Sequence, residues 1–379
     1  MLSISEIQRK SEQKVINFLN KPNTERRTVV LGICIVLLSF FNNLSPLAKF
    51  EGFYTEVFVN KSENYLYKIT KDRASNFKKD WIYDEGASNN RTFRWFQPAL
   101  VKVLRIQHVS LFLYGLQLIL GVVFLWLLNR FLNRILDDKI AAFYGFLAFC
   151  GIYVGSAFFI ENAGYGDFYS YFFLFLAIYF RQWYLIFGFV SLALWNDERS
   201  NVACGMVFLF WFLNEQQGEK LRIRVNIQMV AVLVAMVLYW AIREFYLIRE
   251  LGLQNHYVEG EFKHILLQSW QAYGFKFLWA YEGLWIPILF ALFILIYTKD
   301  YFRFTLILLV ILVIQTLSLT TFDSTRSGCF GFIVIFISMF ILKDKLDIKD
   351  IRSILFWSAI VSFLHPLATK THATGFFLM

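Results

Sequence analysis

Carboxylates and arginines gather at the ends of apolar stretches in this chain. Glu51 stands alone in Phe50-Glu51-Gly52-Phe53, and Asp84 and Glu85 are adjacent in Tyr83-Asp84-Glu85-Gly86. Glu161 and Asp167 bracket the short turn Asn162-Ala163-Gly164-Tyr165-Gly166. Asp197, Glu198 and Arg199 are consecutive in a second tight turn, Asp323 and Arg326 lie three apart in a third, and Arg91 and Arg94 follow Asp84. Taken singly, each is most simply a solvated cap. As a set they mix acids and arginines in turns too short to carry them far from their flanking apolar runs, where ionisable groups are costly and mark function. Arginine grips phosphate through two parallel hydrogen bonds, and a carboxylate with a raised pKa can act as a general base. The pattern therefore suits a phosphate-bearing lipid substrate. Glu51, Asp84, Glu85, Asp167 and Asp197 are the catalytic candidates. Arg91, Arg94, Glu161, Glu198, Arg199, Asp323 and Arg326 are the substrate-binding candidates.

Such groups need elements to hold them, and composition says which. Of 379 residues 58% are hydrophobic, 20% aromatic and only 17% charged, and the mean hydropathy is +0.51. A soluble domain of this size carries roughly a quarter charged residues. Helices satisfy their own backbone in lipid, so the long apolar runs read as membrane spans. The expected fold is all-α: a polytopic transmembrane bundle of about eleven spans. They are placed near 28–47, 108–129, 141–160, 167–180, 183–195, 202–213, 227–248, 275–297, 304–320, 328–342 and 353–368. Residues 1–27 form a weakly amphipathic, basic segment on the cytoplasmic surface, and residues 28–379 form one transmembrane domain. The longest polar stretch, 49–107, is a large first extracytoplasmic loop with amphipathic helices lying in the interface. A second amphipathic segment is expected around Phe262 to Trp270.

Loop charges set the orientation. With the N-terminus inside, the inside loops hold Arg130, Arg134 and Lys139; Arg181; Lys220, Arg222 and Arg224; Lys299 and Arg303; and Lys343, Lys345, Lys349 and Arg352. Each short inside loop has an excess of Lys and Arg, as membrane insertion favours. The acidic turns then share the opposite face, and the C-terminus is extracytoplasmic.

Other chemistries find little support. The net charge of +9 is explained by topology, and no phosphate loop, RNA-binding signature or zinc spacing accompanies it, so no nucleic-acid partner is expected. Cys34, Cys150, Cys204 and Cys329 lie in apolar runs and read as small packing residues. His108, His256, His264, His365 and His372 form no i, i+4 pair, so no metal site is expected from them. The cofactor is left open: a divalent cation is compatible with the carboxylates, but no dedicated motif calls for one.

The layout resembles the GT-C superfamily of multi-spanning glycosyltransferases. The likeness is architectural and covers roughly residues 28–215. It rests on the large first outer loop, an acidic residue after span one (Glu51 or Asp84-Glu85), tight acidic turns at 164–169 and 196–200, and the approach to span two through Arg91, Arg94 and Pro98. In place of that family's acidic-x-acidic pair, the first loop has adjacent Asp84-Glu85 and isolated Glu51. The resemblance implies sugar transfer from a polyprenyl-phosphate donor on the extracytoplasmic side to a glycan, lipid or protein acceptor, in a bacterial inner membrane. A carboxylate, Asp84 or Glu51 first, would be the base, and Arg199, Arg94 or Arg326 would hold the lipid phosphate. The alternatives are an O-antigen polymerase or ligase, which places its large outer loop late in the chain; a transporter or flippase, which would bring internal repeats and midplane charges; and a non-catalytic membrane subunit.

Overall fold

A computed structural model describes residues 4–42, 50–79, 81, 91–215, 225–254, 278–319 and 324–364. Those residues are all-helical, with no strand among them. The elements run α1 (Ile4–Leu19), α2 (Thr24–Asn42), a helical stretch closing in a π turn at Thr55–Val59, α3 (Tyr65–Ser75), α4 (Phe96–Val103), α5 (Val109–Leu136), α6 (Lys139–Gly151), α7 (Tyr153–Ile160) and α8 (Asp167–Tyr179). They continue as α9 (Trp183–Asn196), α10 (Ser200–Glu215), α11 (Ile227–Ala241), α12 (Trp285–Tyr297), α13 (Tyr301–Leu319), α14 (Ser324–Cys329), α15 (Ile333–Lys345) and α16 (Ile348–Leu364).

Three helical stretches are long and apolar enough to cross a membrane: Val109–Leu136, Ile227–Glu250 (α11 with its π-helical continuation) and Tyr301–Leu319. They carry exposed apolar side chains such as Ile119, Val237, Leu309 and Leu312, a surface that suits lipid better than water. The single span expected at 141–160 is two helices. Ile152 turns extended, and α6 and α7 meet at a bend of 54°. The helices at 167–179, 183–196 and 200–214 are short and apolar, as their sequence lengths suggested.

Polar side chains fix the ends of these elements. No cap comes from His108 itself at the start of α5. Glu63, from the first loop, instead accepts from Val109 N at 3.0 Å and Ser110 N at 2.8 Å. A carboxylate there satisfies orphan amides and meets the positive end of the helix; burial opposes its charge, but the Ser110 hydroxyl, which donates to it at 2.6 Å, and then these amides lower the Glu63 pKa. Asp138 caps α6 by accepting from Ala141 N at 2.8 Å and also accepts from Arg352 Nε at 3.0 Å, tying α6 to α16. The amphipathic α1 packs at this same end, with Ser11 beside Tyr144 and Gln8 accepting from Ser353. The core between the helices is rich in phenylalanine: Phe131 touches Phe175, Phe210 and Phe336.

Candidate functional site

Opposite the Asp138–Arg352 end, four chain segments bring their ionised groups into one network. Asp167 is the first residue of α8 and is fully buried. Its Oδ1 accepts from Arg199 Nη2 at 2.6 Å, and its Oδ2 accepts from Arg326 Nε at 2.6 Å. The amino end of a helix dipole adds to the stabilisation of that charge. Asp197, the residue after α9, accepts from Arg199 N and Nε at 2.9 Å through Oδ1. Its Oδ2 takes Arg199 Nη2 and Arg94 Nη1, both at 2.8 Å. Arg94 also reaches Glu198, at 3.3 and 3.4 Å. The network runs Glu198–Arg94–Asp197–Arg199–Asp167–Arg326, joining the first loop, the α9–α10 turn, the head of α8 and α14.

A frame of uncharged groups holds these segments in place. Asn196 donates to Gly166 O and Ser170 Oγ, each at 2.8 Å, and accepts from Gln97 Nε2 at 3.2 Å. Gly166 has φ +78°, and a Cβ there would fall 1.9 Å from Gln97 Nε2. Glycine is therefore required on both counts. Tyr165 lies under the Arg326 guanidinium at 3.6 Å, with Arg91 5.8 Å from the same ring, a cation–π arrangement. Arg91 itself donates to Gly164 O at 3.2 Å.

The charges are tuned by these neighbours. Burial opposes the Asp197 carboxylate, but Arg199 and Arg94 outweigh it and hold its pKa below the ordinary aspartate range. Burial likewise opposes Arg94, yet Asp197 and Glu198 raise its pKa. Arg91 is lowered, by burial and then by Arg94 and Arg326, but stays a cation. Glu161 goes the other way. Burial raises its pKa and Asp167 adds to the rise, against the pull of Arg326. Its Oε1 accepts from Ala163 N at 2.8 Å, while its buried Oε2 has no partner among the described residues.

A cavity of about 200 Å³ opens beside Arg199, lined by Glu198, Arg199, Ser327, Val202, Ile314, Leu317 and Phe330. Its polar side is the edge of the ion network, where Arg199 Nη1 donates to Ser327 Oγ at 3.1 Å. Its apolar side is built from α10, α13 and Phe330, which follows α14.

Arg94, Asp167, Asp197, Glu198, Arg199 and Arg326 thus share one network, with Arg91 and Glu161 beside it. Within the Asp197–Arg199 turn the charges part company: Arg199 takes Asp197 and Asp167, and Glu198 takes Arg94. Both oxygens of Asp167 and Asp197 are engaged by guanidinium groups, which suits them to positioning arginines better than to accepting a proton. Glu51 is exposed and makes no ion pair with the network among the described residues. Asp84, Glu85 and Asp323 lie outside the described residues. Among the described residues no group of three or more His, Cys, Asp or Glu could hold a metal ion. Gln97, Asn196, Tyr165 and Ser327 were not anticipated as partners. Tyr165 and Asn196 do sit inside the two acidic turns, and that was the available signal. Comparison of the chain with protein-family models, curated proteins and solved structures finds no match.

Proposed function

We propose that this chain is an integral membrane glycosyltransferase of GT-C type that takes a sugar from a polyprenyl-phosphate donor on the extracytoplasmic face. In this reading it spans the bilayer about eleven times, N-terminus cytoplasmic and C-terminus extracytoplasmic, in a bacterial inner membrane. The carrying observation is the cavity beside Arg199. A prenyl phosphate has an anionic head and a long apolar tail, and this cavity pairs Arg199 and Ser327 with Val202, Ile314, Leu317 and Phe330.

Charge supports the same ligand class. The site holds four arginines (Arg91, Arg94, Arg199, Arg326) and four acids (Glu161, Asp167, Asp197, Glu198). When Glu161 keeps its proton, as its raised pKa favours, the arginines exceed the carboxylates by one, which favours an anion. During transfer the departing lipid phosphate gains charge, and preorganised guanidinium groups would stabilise it. The acceptor, a glycan, lipid or protein hydroxyl, would give its proton to a carboxylate. Glu51, Asp84 and Glu85 of the first loop are the candidates for this base.

The test is binding and transfer by the protein in lipid nanodiscs. A polyprenyl-phosphate-linked sugar should bind more tightly than the matching phosphate-free prenol, and the sugar should pass to an added acceptor. Equal binding of the two lipids would overturn the phosphate assignment.

A further inference from the structure

Glu282 is buried, at 6% exposure, in the 3-10 turn Glu282–Leu284 that leads into α12. Neither carboxylate oxygen has a hydrogen-bond partner among the described residues. Arg326, the arginine of the neighbouring α14, pairs with Asp167. The turn packs on α16, α12 and α6. Polar groups reach this seam from α16 as Ser358 and Ser362, and Ser362 Oγ is also unpartnered. Gly283 marks how tight the seam is: a Cβ there would fall 2.1 Å from Ser358 O and 2.7 Å from Ser362 Oγ. Trp285 enters from α12, and Cys150 at the end of α6 is turned toward Gly32 of α2 instead. Among the described residues, no cation matches a charge on Glu282. A bare carboxylate in such a place is strongly disfavoured, and the group neutralises instead.

The turn is also stitched to the candidate site. Tyr281 OH donates to Gly328 O at 2.8 Å, and Cys329 Sγ donates to Ala280 O at 3.3 Å. Gly328 and Cys329 follow Arg326, which pairs with Asp167. A charge forming at Glu282 would draw water into the α16 seam and displace the turn that braces α14.

We propose that Glu282 is a proton-binding site within the helical bundle, occupied by a proton in the assembled protein, and that this proton keeps the Tyr281–Gly328 brace of α14 in place. The site is independent of the glycosyltransferase reading and stands or falls separately.

Infrared spectroscopy of the protein in nanodiscs at neutral pH tests it, because a protonated carboxyl has a carbonyl stretch above the amide band that a carboxylate lacks. Glu282→Gln should remove one component of that band, and Glu161→Gln should leave that component in place. A band unchanged by Glu282→Gln in folded protein would overturn the proposal. So would loss of the component on adding sodium at constant pH, which would make the site a metal-cation site. If Glu282→Gln does not fold, the wild-type protein can be treated with dicyclohexylcarbodiimide, an apolar reagent for protonated carboxyls. Mass-mapped modification at Glu282, protected by raising the pH, supports the site. Modification of other carboxyls in the bundle but not of Glu282 overturns it.

Discussion

A single nitrogen of Arg199, Nη2, lies 2.6 Å from Asp167 Oδ1 and 2.8 Å from Asp197 Oδ2. The two acids come from different turns, one opening α8 and the other closing α9, so this guanidinium fastens two helix ends together. Its Nε and Nη1 are also used, by Asp197 and Ser327. Lysine offers one compact ammonium and cannot reproduce a planar fork with four acceptors.

Arg199→Ala should therefore be strongly destabilising, by roughly 3–5 kcal/mol, because it strands buried carboxylates. Arg199→Lys should fall between alanine and wild type. Thermal unfolding in detergent checks both. A lysine variant as stable as wild type would mean that the fork geometry contributes nothing.

Asp197 and Glu161 give opposite pH dependences. The Asp197 pKa is lower in the folded chain than its ordinary value of 3.8, so its contribution is present above that value and is lost as pH falls below it. The Glu161 pKa is raised above its ordinary 4.5, so the folded chain binds the extra proton. That contribution is full below 4.5 and is lost as pH rises through the folded value. Melting temperature measured from acid to neutral pH should rise through the first window and decline through the second. Glu161→Gln should flatten the decline without altering the acid limb.

Gly166 should tolerate nothing larger. Left-handed backbone costs a non-glycine residue roughly 1–2 kcal/mol, and the collision with Gln97 adds to it. Gly166→Ala should lower the melting temperature clearly, whereas Gly52→Ala, where a Cβ meets nothing within 4 Å, should leave it unchanged. The pair of measurements separates this site from a general intolerance of alanine.

The apolar runs at 109–136, 227–250 and 301–319 were legible because hydropathy and length suffice to name a helix long enough for a bilayer. The acidic turns were legible too, since charge is conspicuous in so apolar a chain. Partnership was not. Arg326 and Asp167 are 159 residues apart, and nothing local chooses Asp167 over Asp197 for Arg326. Glu198 and Arg199 are neighbours in sequence, yet Glu198 turns to Arg94 and Arg199 to Asp197 and Asp167. The bend between α6 and α7 was hidden for the same reason. It lies where Gly151 meets the backbone of Ser362, a contact set by a helix near the other end of the chain. The role of Glu63 in closing the start of α5 also depends on a fold of the first loop that no short window reveals.

The cavity beside Arg199 allows the proposed ligand to be tested without touching a charged residue. Val202 lines it from α10, and its neighbours on the wall, Ile314 and Leu317, come from α13. Tryptophan at 202 would put an indole into a space of about 200 Å³ and remove room for the first carbons of a prenyl tail. The network itself would keep every ion pair, because Val202 contributes none. Val202→Trp should therefore weaken binding of a polyprenyl-phosphate-linked sugar at least tenfold, about 1.4 kcal/mol, with the melting temperature little changed. Leu309→Trp, on the exposed face of α13, adds the same bulk away from the cavity and should bind the donor as wild type does. Isothermal titration in nanodiscs reads both variants. Equal affinity for Val202→Trp and wild type would place the lipid elsewhere, and equal losses in both variants would point to a general effect of bulk on α10 and α13. Only a loss confined to Val202→Trp ties the lipid to the arginine network through this cavity.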